Sequence, residues 1–222
     1  MTRPANLPRG PNRDAALDQY RRRASVYDWE LTLLEPVRRL AVAKLALRPG
    51  NVVLDVGCGT GLSLPLLKQG VGAKGRIVGI EQSPEMIALA LQRIKQQGWD
   101  RVTLVCSPVE AATIRVKADA ALFHFTHDIL RRPEAIANVL CHLKPGARVV
   151  ASGLKWSAHW AYWPVNLLVL PAALRSVTSL DGMSEPWQLL QEQIGPLAVE
   201  LKMFGAVYLA YGSTRRDSHL QH

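Results

Sequence analysis

Three glycines at alternate positions, Gly57, Gly59 and Gly61, follow a short apolar run with an acid inside it, so that residues 52–61 read VVLDVGCGTG. Glycine permits positive φ and carries no Cβ, so a turn built this way lets a ligand approach the backbone closely. Which ligand depends on the spacing and on the charges nearby. The dinucleotide fingerprint G-x-G-x-x-G would place its third glycine at position 62, where this chain has Leu62. Asp55 precedes the glycines. A carboxylate there is unfavourable beside a pyrophosphate, but it suits a ligand with a cationic sulfonium and an amino group. It could also serve the turn by binding backbone N–H groups. Glu81 closes the next apolar run, RIVGIE, where an acid can accept both hydroxyls of an unphosphorylated ribose.

Residues of this kind need strands that end at a common edge. The pattern predicts a helix from about Asp14 to Asp28 and another from about Leu31 to Leu47, the latter on Leu33, Leu34, Val37, Leu40, Ala41, Lys44 and Leu45 at helical spacing. Strand and helix signals then alternate. Strands are expected at 52–56, 76–81, 102–107, 118–125 and 147–154. Helices are expected from about Leu62 to Gln69, from Pro84 to Gln97 and from Pro133 to Leu143, with Ser83 as N-cap of the second. Lys144-Pro145-Gly146 closes the third. Alternation of this kind gives parallel strands with helical crossovers. Beyond 154 the texture changes to an aromatic segment, then a helix over Glu185–Ile194. Two runs, AVELKMF and AVYLAYG, then read as an antiparallel hairpin at the sheet edge.

From Tyr27 to Gly212 the sequence resembles the class I S-adenosylmethionine-dependent methyltransferases, in particular the small-molecule branch with quinone C-methyltransferases and phospholipid N-methyltransferases. VLDVGCGTG, Glu81 and HLKPGARVV (142–150) carry the resemblance. It implies an α/β, Rossmann-like, doubly wound seven-stranded sheet with a C-terminal antiparallel hairpin and helices on both faces. The cofactor it implies is S-adenosyl-L-methionine, with S-adenosyl-L-homocysteine as product. Gly57, Cys58, Gly59 and Gly61 would contact the methionine part with support from Asp55. Gln82 and Met86 would lie near the ribose or adenine. One departure stands out: many relatives carry an acid after the third strand to read the adenine amino group, and this chain has CSPVE there. Ser107 or Glu110 is expected in its place, although Ser107-Pro108 is also a helix-start sequence.

Methyl transfer from a sulfonium is an in-line displacement that depends mainly on alignment and water exclusion. A base is needed only if the nucleophile must lose a proton. The candidates are His127 and Asp128 in HFTHDIL (124–130), with His124 at the end of the fourth strand. The alternative for the pair is that Asp128 caps the next helix and His127 is a turn residue. The resemblance implies an N-terminal helical lid (14–48) that carries Tyr20 and Tyr27. Trp156, His159, Trp160 and Trp163 fall at about 155–195, where the resemblance implies a substrate-side insertion. That segment either walls a pocket for an apolar acceptor, docks on a membrane or partner, or simply covers the core.

The remaining features bound the function. The chain has 222 residues and a formal net charge of +9, with ten Lys/Arg against five Asp/Glu in residues 1–50. Residues 1–13 read as a disordered tail and 14–222 as a single domain. Arg21–Arg23 could meet phosphate, anionic lipid or an acidic substrate, or form a solvated helix end. Cys58, Cys106 and Cys141 lack metal-type neighbours and read as small apolar fillers in a reducing cytosol; no metal is expected. The N-terminus lacks a secretory signal pattern. A small apolar or amphiphilic acceptor (quinone-like, lipid or secondary metabolite) is thus expected for a cytoplasmic enzyme, with peripheral contact to anionic membrane as an option. RNA or DNA is the less favoured partner, for want of an Asn/Asp-Pro-Pro-aromatic motif after strand four, and a non-catalytic cofactor-binding protein is the third alternative.

Overall fold

The apolar runs at 52–56 and 76–81 are short and rich in β-branched residues, as strands covered on both faces are. The computed structural model describes residues 34–155 and 184–215. In chain order these form α1 (Glu35–Lys44), β1 (Val52–Val56), α2 (Leu64–Val71), β2 (Arg76–Glu81), α3 (Pro84–Gln97), β3 (Val102–Cys106), β4 (Ala118–His124), α4 (His127–Leu130), α5 (Pro133–Leu140), β5 (Leu143–Leu154), α6 (Gln188–Ile194), β6 (Ala198–Lys202) and β7 (Val207–Ser213). The sheet has seven strands in the order β3-β2-β1-β4-β5-β7-β6. The first five strands are parallel, and β7 runs antiparallel between β5 and β6. The doubly wound sheet with its terminal antiparallel pair is therefore present as expected.

Strand residues alternate between two apolar layers. Leu54, Val56, Val78, Ile80 and Phe123 pack with Ile136 and Val139 of α5 and with Leu190 and Ile194 of α6. Val53, Ile77, Ala120 and Leu122 face the other way, toward α1, α2 and Ile94 of α3. Strand order reverses between β1 and β4, which are hydrogen-bonded neighbours with β2 beyond one and β5 beyond the other. In open sheets of this type, ligands bind beyond the carboxyl ends of the strands at such a point.

Several element boundaries depart from the sequence pattern. α2 runs from Leu64 to Val71 and so encloses Gly70; the chain turns instead at Gly72, with φ +66°. α5 ends at Leu140, and Leu143 already pairs with Ala118 of β4. LKPG is thus the opening of β5: the register jumps from Ala118↔Leu143 to Ala120↔Arg148, and Gly146 at φ +75° carries the bulge. The last helix starts at Gln188 rather than Glu185. Strand β6 stops at Lys202, because Met203, Phe204 and Gly205 all take positive φ and turn the chain into β7.

The largest correction is in α1. Its buried face is Val37, Arg38, Ala41 and Val42, while Leu40 is 42% exposed. An arginine occupies the stripe where the apolar pattern placed leucine. Of the three cysteines only Cys58 is buried; Cys106 and Cys141 are exposed and fill no core position. Among the described residues no helix is long and apolar enough to cross a membrane.

Candidate functional site

The glycine turn is held from below by its neighbouring strand. Gly57 N and Cys58 N both donate to the Ile80 carbonyl, at 2.8 and 3.0 Å, and Gly61 N donates back to Cys58 O at 2.9 Å. All three glycines take positive φ: +70°, +54° and +81°. Their surroundings differ. A Cβ on Gly57 would stand 2.5 Å from Thr126 Cγ2 and 2.9 Å from Ile129 Cδ1, and one on Gly61 would stand 2.7 Å from Leu64 Cδ1. A Cβ on Gly59 would meet nothing within 4 Å. Gly57 and Gly61 are therefore packing glycines, and Gly59 is the one whose backbone faces open space.

Two carboxylates flank this turn. Glu81 accepts from Gly59 N through Oε2 at 3.2 Å and from Ser83 N through Oε1 at 2.9 Å. Each oxygen retains a further lone-pair site for ligand hydroxyls. Burial pushes the Glu81 carboxyl above its ordinary value, against the pull of these amides. Asp55 is only 2% exposed, and its Oδ2 has no hydrogen-bond partner among the described residues. Burial raises the Asp55 carboxyl to about 7, opposed by the Arg38 charge and reinforced by Glu81. A buried acceptor without a partner is costly unless something supplies a donor or a positive charge.

Ser83 caps α3, accepting from Met86 N at 3.3 Å, as its position before Pro84 implies. Met86 itself is buried, whereas Gln82 is exposed at the turn between β2 and α3. Cys58 packs its sulfur where a Cβ on Gly79 would fall, 2.8 Å away, and so fills the space beneath the turn. Ser107 follows β3 beside Glu81, with its amide donating to Glu81 O at 3.0 Å and its hydroxyl to Pro108 O at 3.0 Å. Glu110 lies in a single 3-10 turn (Val109–Ala111) and accepts from Arg132 at 2.9 Å.

The carboxyl end of β4 supplies the other side. His124 Nδ1 and Ser152 Oγ of β5 share a 2.7 Å hydrogen bond, and Phe125 N donates to Ser152 O at 2.7 Å. Phe125 has φ +58°, an unusual conformation for a bulky side chain. Burial and the Arg38 charge lower the His124 ring to about 3, so it is neutral throughout the physiological range. His124 Nε2 and Thr126 Oγ1 are buried without hydrogen-bond partners among the described residues. His127 and Asp128 stand on α4, both half-buried, and Thr126 rather than Asp128 holds the N-cap position of that helix.

Asp55 lies near the carboxyl end of β1, and His124 and Thr126 lie at the end of its neighbour β4, at the switch point, with Arg38 of α1 acting electrostatically on Asp55 and His124. Arg38 is 3% exposed and ion-paired with Glu35. It is the site residue that the sequence reading missed. The available signal was its position three residues before Ala41 and four after Leu34, on the buried stripe. Tyr20, Tyr27, Trp156, His159, Trp160 and Trp163 lie outside the described residues. Among the described residues no group of three or more His, Cys, Asp or Glu is arranged to hold a metal ion.

Part of the chain matches a known family. Residues 53–146 match a family described as a methyltransferase domain. A similar curated protein is the uncharacterized 37.1 kDa protein in transposon TN4556 of Streptomyces fradiae, 33% identical over 135 residues, covering 59% of this chain and 38% of that protein. Another is the 2-phytyl-1,4-naphtoquinone methyltransferase of Synechococcus elongatus, 30% identical over 117 residues, covering 50% of this chain and 49% of that one. The chain therefore spans less than half the length of these relatives. The solved structure of the N-methyltransferase NodS from Bradyrhizobium japonicum WM9, in complex with S-adenosyl-l-homocysteine, shares the fold at a TM-score of 0.67 and 17% identity, over 90% of this chain and 98% of that one.

Proposed function

We propose that this chain, whose residues 53–146 match a methyltransferase domain, is a class I S-adenosylmethionine-dependent methyltransferase that transfers a methyl group to a small apolar or amphiphilic acceptor. The observation that carries the reading is the pairing of an open Gly59 backbone with a buried, unpartnered Asp55 Oδ2. Together they fit a ligand that brings positive charge to the carboxylate and lies along the turn. Glu81, fixed by two amides, suits the ribose hydroxyls.

When bound, S-adenosylmethionine supplies an electrophilic methyl and a thioether leaving group that needs no acid. The protein's part is then alignment and exclusion of water, which can contribute ~7–11 kcal/mol in well-oriented reactions. Gly57, Cys58, Gly59 and Gly61 form the cradle, and Asp55 attracts the positive end. Gln82, Met86 and Ser107 border the ribose and adenine side. Glu110 already has Arg132 and serves that side by holding the loop after β3. His127 and Asp128 on α4 stand on the acceptor side, and His127→Ala lowers turnover more than cofactor affinity. Tyr20, Tyr27, Trp156, His159, Trp160 and Trp163 supply apolar acceptor contacts. The name of the Synechococcus relative supports a quinone-like acceptor. We take the site to be cytoplasmic, with the amphiphilic acceptor bringing the protein to the face of a membrane.

The test is transfer of isotopic methyl from S-adenosylmethionine into a cell extract, followed by solvent partition. Label in the organic phase is the expected result. Label confined to nucleic acid would replace the small-molecule reading, and no transfer despite cofactor binding would leave a non-catalytic cofactor-binding protein.

A further inference from the structure

Buried polar groups that the cofactor reading does not use point to how the acceptor is held. Ser152 is 0% exposed, inside β5 with β4 on one side and β7 on the other. Among the described residues its hydroxyl has one partner, His124 Nδ1. The opposite ring nitrogen, Nε2, is buried and has none. A neutral imidazole carries one N–H, and the position of that proton follows from what the other nitrogen does.

Two arrangements are possible. If Nδ1 carries the proton and donates to Ser152 Oγ, the serine O–H is left without an acceptor on a residue that is wholly buried inside the sheet. If Ser152 donates to Nδ1, the unsatisfied donor becomes Nε2–H, on the opposite edge of the ring. Only the second arrangement puts the open donor on a residue that is itself partly exposed, at the carboxyl end of β4, and a permanently unsatisfied donor inside the sheet is the more costly outcome. The Phe125 amide bond to Ser152 O and the positive φ of Phe125 fix the ring where β4 ends. Thr126 Oγ1, also unpartnered, stands two residues on. The positive field of Arg38 reaches the ring from α1 and favours a partner with negative character.

We infer that His124 donates a hydrogen bond from Nε2–H to an oxygen atom of the methyl acceptor, with Ser152 as the positioning residue that fixes the ring's tautomer. The inference rests on the methyltransferase reading for the word acceptor, but not for the tautomer. It narrows the acceptor class to molecules with a carbonyl or phenolate oxygen. It also removes His124 as a general base, since the nitrogen facing the ligand has no free lone pair. A ring held neutral by burial and by Arg38 stays a donor across the physiological range.

The experiment is a long-range 1H–15N spectrum of the full chain with labelled histidine, saturated with S-adenosylhomocysteine. His124 is expected in the Nε2–H form without titration between pH 5 and 9, and Ser152→Ala is expected to raise the share of the other tautomer. Adding α-tetralone, an aryl ketone, should shift the His124 Nε2 signal, and tetralin, the same skeleton without oxygen, should not. His124→Gln, which keeps a donor, should hold the ketone within a few-fold of the native protein, whereas His124→Leu should weaken it at least about tenfold. A proton on Nδ1, a ring that charges near neutral pH, or equal or absent responses to the two probes would overturn the inference. Failure of S-adenosylhomocysteine to bind would instead strike the methyltransferase reading and leave the tautomer result to stand alone.

Discussion

The backbone amide of Gly59 donates to Glu81 Oε2 at 3.2 Å, tying the half-buried middle of the glycine turn to the end of the neighbouring strand. The acid proposed to hold the ribose is therefore also part of the turn proposed to hold the methionine end. Loss of one should be felt by the other.

Replacement of Glu81 tests this tie. Glu81→Gln keeps one oxygen acceptor and should weaken S-adenosylhomocysteine modestly. Glu81→Ala removes two amide partners and both hydroxyl acceptors, and should weaken it by about 10–150-fold. Titration calorimetry on both variants checks the order.

The glycines should separate into two classes. Gly57→Ala must place a methyl 2.5 Å from Thr126 Cγ2 at φ +70°. Strain and overpacking together should destabilise the fold by about 2–4 kcal/mol. Thr126→Ser removes the nearest clashing atom and should recover part of that loss. Gly59→Ala has open space and only the backbone penalty, about 1–2 kcal/mol. It should fold and yet bind cofactor poorly. Thermal melts and calorimetry on the same samples distinguish the two.

Asp55 gives a pH dependence with a definite sign. Burial raises its carboxyl from 3.8 to about 7 in the folded protein, so the folded state holds that proton more tightly than the unfolded chain. Its contribution to stability is present at low pH and is lost as pH rises from about 4 to about 7. A cationic ligand favours the ionised form, so cofactor binding should release a proton near neutrality and tighten as pH rises from 6 to 8. Asp55→Asn should raise the melting temperature of the ligand-free protein at pH 8 by at least about 2–4 °C. The same variant should lose cofactor affinity.

Arg38 should set where that dependence falls. Its charge lowers the Asp55 carboxyl. Arg38→Met, which keeps the bulk of the side chain, should move the midpoint of pH-dependent cofactor binding to higher pH. An unmoved midpoint would show that the two charges do not communicate.

The fold was legible from residue 52 to residue 154 because the central strands there are buried on both faces and each helix has a start or stop residue, such as Ser83-Pro84. The glycine turn with Asp55 and Glu81 was legible for a similar reason: backbone geometry and charge sign leave few residue choices. Arg38 was not, because helical periodicity sorts residues by apolarity and assigns an arginine to solvent. Here local charge partners override that rule. The LKPG bulge was hidden because proline and glycine ordinarily end strands, whereas here they bend one. The pairing of His124 with Ser152 joins β4 to β5 across 28 positions. Nothing local in either strand encodes it.

Calorimetric titration of the full chain with S-adenosylmethionine and S-adenosylhomocysteine, native and Asp55→Ala side by side, tests the central reading most directly. One saturable site for both ligands in the native protein, with proton release near pH 7 and loss of affinity in the variant, is the predicted result. No heat from either ligand at millimolar concentration, or equal affinity in the two proteins, would contradict it.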